Sequence, residues 1–186
     1  SFTFSLVFAL LFSFAFDYPM ESKTLANGLV IIVCEKNTNN MAQIQVWYRV
    51  GSKDEWDGVR GMAHLFEHMM FRGTKKFNGD SKPFKIVDKL GGVINAYTTY
   101  DRTVYHEEVP ASELELVIDM EADRMANLIL DQNVLDTERE VVGEELRLGE
   151  NNWYRRLSAE RYKYLYPKEH PYQVDVIGNL NEITSF

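Results

Sequence analysis

An α+β fold, an antiparallel sheet with helices packed on one face, is predicted by three features of the 186-residue chain. Residues 42–50 alternate apolar and polar side chains with the period of a half-buried strand. Two further strand-like runs, 93–99 and 102–109, lie close enough in sequence to form a hairpin. The long stretches 111–130 and 134–164 instead repeat their apolar residues every three to four positions, as helices covering a core do. Antiparallel strands with helices on one side give this architecture. With 45% hydrophobic and 26% charged residues, the chain can build one globular domain with a sizeable core.

Taken in order, the chain begins with an uncharged run, Ser1 to Phe16, made almost wholly of Phe, Leu, Ala, Val and Ser. It is shorter than the ~20 residues a bilayer-spanning helix needs and fits the apolar part of a secretory signal. Residues 1–16 are therefore expected to be a partial signal peptide, with an apolar membrane anchor as the alternative, and 17–186 the functional domain. Export to a periplasmic or extracellular compartment follows, with no stable membrane span. Residues 25–36 predict a strand with Asn27-Gly28 as a tight turn at its start. In 42–50, Gln43 and Gln45 face away from Ile44 and Val46. A helix is expected over 58–72, then a short one over 82–90 stopped by Gly91-Gly92. After the 93–109 hairpin, Pro110 precedes the helix of 111–130. The 134–164 helix is expected to break near Gly149.

A net charge of -8 excludes a general nucleic-acid binder, because the average surface would repel a phosphate backbone. Arg155, Arg156, Arg161 and Lys163 read as a solvated helix face. The single cysteine, Cys34, sits in an apolar run and reads as strand packing rather than as a nucleophile.

Chemistry concentrates in His64-Leu65-Phe66-Glu67-His68. On a helix the two imidazoles lie about 40° apart in azimuth, and Glu67 about 60° to the other side of His64. The three polar groups share one arc, leaving Leu65, Phe66, Met69 and Met70 to fill the opposite side. Neutral imidazoles suit zinc, and zinc needs a further protein ligand while keeping an open position. The helix from 134 onward offers one. With Glu138 as the zero of azimuth, Val134, Leu135, Val141, Val142, Leu146 and Leu148 fall within about 80° and mark a buried face, and Glu145 lies about 20° from zero. A carboxylate buried in such a stripe requires a cation. Glu145 is thus the expected third ligand, whereas Glu140 and Glu144 point to solvent. Glu138 either supports the metal from behind a ligand or pairs with an arginine such as Arg102 or Arg124.

These residues resemble those of the pitrilysin-type (M16, inverzincin) zinc metallopeptidases, whose mark is H-x-x-E-H followed by a glutamate some seventy residues later. The likeness extends to the text around the motif at 61–74, to Gly91 through Thr98, Asp101 through Tyr105, Glu138 through Glu145, and His170-Pro171-Tyr172. It implies that His64, His68 and Glu145 bind one zinc ion per chain, that Glu67 is the catalytic base and that Glu138 supports the site. It also implies that peptide or unfolded-protein substrate lies along the strand edge at Asn95, Ala96 and Tyr97, a segment that otherwise reads as an ordinary edge strand. By the same resemblance the fold is one half of a clamshell, completed by a second homologous domain or subunit, and the chain is a C-terminally truncated catalytic domain. The expected activity is that of a zinc endopeptidase. A catalytically weak or silent subunit is the alternative.

Overall fold

The computed structural model describes residues 19–36 and 39–185. The apolar run 1–16 lies outside them, and among the described residues no helix is long and apolar enough to cross a membrane. The described residues fall into two compact units, divided between Asn40 and Met41.

The first unit is an antiparallel hairpin of β1 (Met20–Thr24) and β2 (Val30–Cys34), with Met20 opposite Cys34 and Thr24 opposite Val30. One strand was expected here, opening on the Asn27-Gly28 turn; the turn instead joins two. Gly28 N donates to Leu25 O and Leu25 N to Leu29 O, which closes the loop. Cys34 is exposed, so its expected role in strand packing does not hold.

The second unit is built on a three-stranded antiparallel sheet in the order β3-β5-β4, with β3 at Met41–Tyr48, β4 at Val93–Thr98 and β5 at Thr103–Pro110. Ile44 and Ile94 both pair with Glu107, and Val46 and Ala96 with Tyr105, so these residues share the inner face. There Ile44, Ile94 and Val109 meet Val87 of α2 (Pro83–Lys89) and Val117 and Met120 of α3 (Leu114–Asn127). Gln43, Gln45 and Trp47 are exposed on the opposite face. The α+β architecture with helices on one face is that predicted, and α2 stops at Gly91 with φ of 69°.

Buried under the sheet is a cluster of charge. Arg124 Nη2 stands 2.6 Å from Glu121 Oε2 and 3.4 Å from Glu107 Oε1, with its guanidinium over the Tyr105 ring. Burial, with the Glu121 carboxylate beside it, pushes the Glu107 carboxyl up to about 9.

The helix bearing the two histidines, α1 (Met62–Met69), is shorter than the 58–72 expected. Gly61 precedes it with φ of 95°, and a Cβ there would stand 2.5 Å from Ile177 O. The chain therefore turns sharply into the helix and packs tightly on the 177–178 segment. Acids satisfy the amides at this entry: Glu55 accepts from Gly61 N and Ala63 N, and Glu182 from Gly58 N and Arg60 N. Leu65, Met69 and Met70 are buried as expected, but Phe66 is 45% exposed.

Two helices replace the long one after 134: α4 (Gln132–Glu150) and α5 (Trp153–Leu165). The break falls at Asn151-Asn152, where the Asn152 side chain caps α5 by accepting from Tyr154 N and Arg155 N. Val142 joins Leu65 of α1 and Ile183 of α6 (Leu180–Ile183) in a second core, flanked by Leu135 and Leu146. Val141 and Leu148, expected in the buried stripe, are 43% and 72% exposed. The buried arc of α4 is thus rotated toward Val142, because α1 and α6 pack on that side.

Candidate metal centre

α1 and α4 cross so that residues on one helical arc of each meet. From α1 come His64, Glu67 and His68, whose spacing at three and four residues places them on the same side of the helix. From α4 come Glu138 and Glu145, seven residues or about two turns apart. His64 Nε2 and His68 Nε2 each lie 3.6 Å from Glu145 Oε2. One donor atom from each of the three residues lies within 4.8 Å of the other two. Around a tetrahedral zinc with ligands at ~2.1 Å, donors stand about 3.4 Å apart, so this set fits such an ion.

The electrostatics suit a cation. Burial lowers the His64 imidazole to about 4, with the neighbouring His68 acting in the same direction and Glu145 opposing, so the ring is neutral and offers a lone pair. Glu145 is held below the usual carboxylate range first by the His68 ring 3.6 Å away, which together with His64 and Arg155 outweighs burial. Glu67 moves the other way. Burial raises it, against the hydrogen bond donated by Thr98 Oγ1 to its Oε2.

Behind His68, Glu138 Oε2 lies 3.2 Å from Nδ1 while its Oε1 forms an ion pair with Arg72. Glu138 thus touches one of the candidate ligands and also pairs with an arginine, but neither expected arginine is the partner. Arg124 is engaged under the sheet and Arg102 lies over the Trp47 ring. Such a carboxylate fixes which ring nitrogen faces the centre. Among the described residues, His64 Nδ1 is buried without a hydrogen-bond partner.

The donors floor a cleft of 430 Å³. One wall is β4, an edge of the sheet, which contributes Ala96, Tyr97 and Thr98. Asn95 is not on the cleft wall; its side chain accepts from Ala96 N. The facing wall is α5, through Arg155, Ser158, Ala159 and Tyr162. Tyr100 completes it, stacked on Tyr172 and close to Tyr162. The sequence reading missed Thr98 as a partner of Glu67, Arg72, and all of the α5 wall. Its i, i+3, i+4, i+7 spacing was the available signal, concealed by the surrounding basic residues.

Residues 30–172 match the sequence profile of Insulinase (Peptidase family M16). The chain is 35% identical over 172 residues to the zinc protease PqqE of Helicobacter pylori, a match covering 89% of this chain and 37% of that protein. It is similar to the crystal structure of a protease from Helicobacter pylori, with a TM-score of 0.82 and 33% identity over 91% of this chain and 40% of the other. The crystal structure of pitrilysin superposes with a TM-score of 0.76 and 26% identity, covering 90% of this chain and 18% of that one. The chain spans well under half the length of these relatives.

Proposed function

The chain belongs to the Insulinase (Peptidase family M16) family, and from that premise we propose that it carries the metal and the base of a zinc endopeptidase. The observation that carries this reading is the convergence of three donors from α1 and α4, with Glu67 beside them on the floor of an open cleft. His64, His68 and Glu145 would hold one zinc ion, which supplies a more acidic water and polarises the carbonyl to be attacked.

The protein's own groups do the rest. Glu67 accepts the proton of the attacking water at a carboxylate oxygen and returns it to the amine as the peptide C–N bond breaks. Burial serves this task, because it weakens the acidity of Glu67 and brings its pKa closer to neutral pH. Thr98 holds one Glu67 oxygen by donating to it, leaving the other to take the proton. Glu138 and Arg72 hold His68 in place.

Substrate would be an extended peptide or unfolded segment added as a strand to the edge of β4 along Ala96 and Tyr97, where the small Ala96 permits close approach. A second homologous domain or subunit would close the cleft over it; the greater length of the relatives supports this. The uncharged start of the chain supports export. All four groups the reaction asks for are present, which favours an enzyme over a silent subunit.

The test is Glu67→Gln in the whole protein, with zinc content and hydrolysis of a quenched peptide measured together. Retained zinc with hydrolysis reduced by about 10²- to 10⁴-fold is expected. Unchanged hydrolysis would take Glu67 out of the reaction and the reading with it.

A further inference from the structure

Arg155 is the one member of the basic group at 155–163 that lines the cleft. It stands in the first turn of α5 and shares a face with Ser158, Ala159 and Tyr162. Two features hold its guanidinium there. Nη2 lies 3.6 Å from Glu145 Oε1, the oxygen turned away from the histidines. A Cβ placed on Gly149 would come 2.8 Å from Nη1, so the guanidinium lies against bare backbone in the last turn of α4, at the negative end of that helix.

The contact with Glu145 is longer than a hydrogen bond, and among the described residues the Arg155 side chain makes no hydrogen bond. A guanidinium offers five N–H donors in a fork that matches a carboxylate. The side chain remains 54% exposed within the cleft, so a ligand can reach it. Among the described residues Arg155 forms no ion pair with Asp175, another carboxylate lining the cleft, and a cation held by Glu145 would offset the charge of that residue.

We infer that Arg155 forms a carboxylate subsite beside the metal donors, selecting peptides with an acidic side chain next to the bond to be cut. This rests on the peptidase reading and adds a substrate class to it. Ser158 and Tyr162 follow Arg155 along the same wall and supply hydroxyls to a side chain seated there.

The experiment uses the whole zinc-loaded protein and pairs of quenched peptides with amidated C-termini, differing only by Glu or Gln at each position flanking the cleaved bond. At one position the Glu peptide is expected to have the higher kcat/KM, by about 10-fold. Arg155→Gln brings that ratio to about one. Arg155→Lys restores part of it, and Gly149→Ala lowers it by displacing the guanidinium at unchanged charge. A merely structural role would lower both peptides together and leave the ratio intact, which would overturn the subsite. Binding of the same peptides to the zinc-loaded Glu67→Gln variant, measured by calorimetry, gives a readout free of turnover. Cleavage without discrimination would remove the subsite and keep the peptidase. Discrimination in binding without cleavage by the native protein would do the reverse, and neither binding nor cleavage would remove both.

Discussion

Among the described residues, two pairs of carboxylates, Glu107 with Glu121 and Glu138 with Glu145, are balanced in opposite ways. Under the sheet, Glu107 and Glu121 share the guanidinium of Arg124, and Glu107 is raised to about 9, so it stays protonated at neutral pH. One cation and one proton offset two carboxyls. All three residues are at most 3% exposed. Between α1 and α4, Glu138 is as deeply buried and has Arg72, but Glu145 faces two imidazoles across a gap and opens on a cleft. Here burial keeps His64 neutral instead of keeping a carboxyl neutral. A buried carboxylate therefore reports that a partner is required, without saying which. Neutral nitrogen donors aimed at a common point distinguish a site that takes a cation from one in which a guanidinium already supplies the positive charge.

The contrast can be broken most severely at Arg124. Its replacement by Met leaves two carboxyls without their shared cation, and a loss of about 3–5 kcal/mol in unfolding free energy is expected from denaturant titration. Zinc stoichiometry of the folded fraction should stay unchanged; a loss of zinc would show that the clusters are coupled. Glu138→Ala acts on the other cluster. Zinc affinity measured by competition with a chelator is expected to fall by about 10- to 100-fold, because His68 loses the group that orients it. An unaltered affinity would make Glu138 a purely structural partner of Arg72.

The smallest effect is expected at Thr98. Its hydrogen bond lowers the pKa of Glu67, so Thr98→Val should raise that pKa further above the ordinary carboxylate value. As the proposed base must be ionised, the acid limb of the kcat/KM profile should move to higher pH. Activity below that limb falls, while the plateau above it changes little. A limb that stays in place, or moves to lower pH, would mean that Glu67 does not set it.

Much of this was legible in the sequence wherever local geometry decides. The 3.6-residue period alone put His64, Glu67 and His68 on one arc and Glu138 with Glu145 on another. The two-residue period set the inner face of β3, and the sheet, its hairpin and the stop of α2 at Gly91 followed from nearest-neighbour chemistry. Boundaries were less legible: α1 begins at Met62 because Gly61 and the acids Glu55 and Glu182 fix its entry, and Glu182 lies more than 120 residues away.

Choices among equivalent partners belonged to the tertiary structure. Arg102, Arg124 and Arg72 carry the same charge, and only packing put Arg72 beside Glu138 and Arg124 under the sheet. The buried arc of α4 turned away from Val141 and Leu148 because α1 and α6 pack on its other side, a direction that no wheel drawn on α4 alone contains. Arg155 reads as one basic residue among several until α4 and α5 meet and Gly149 leaves room for its guanidinium at the cleft. The sequence by itself determined which side chains share a helical or strand face, because that depends on neighbours a few residues apart. The meeting of those faces, and with it the partner each charge receives, depends on contacts between distant segments and was decided by packing.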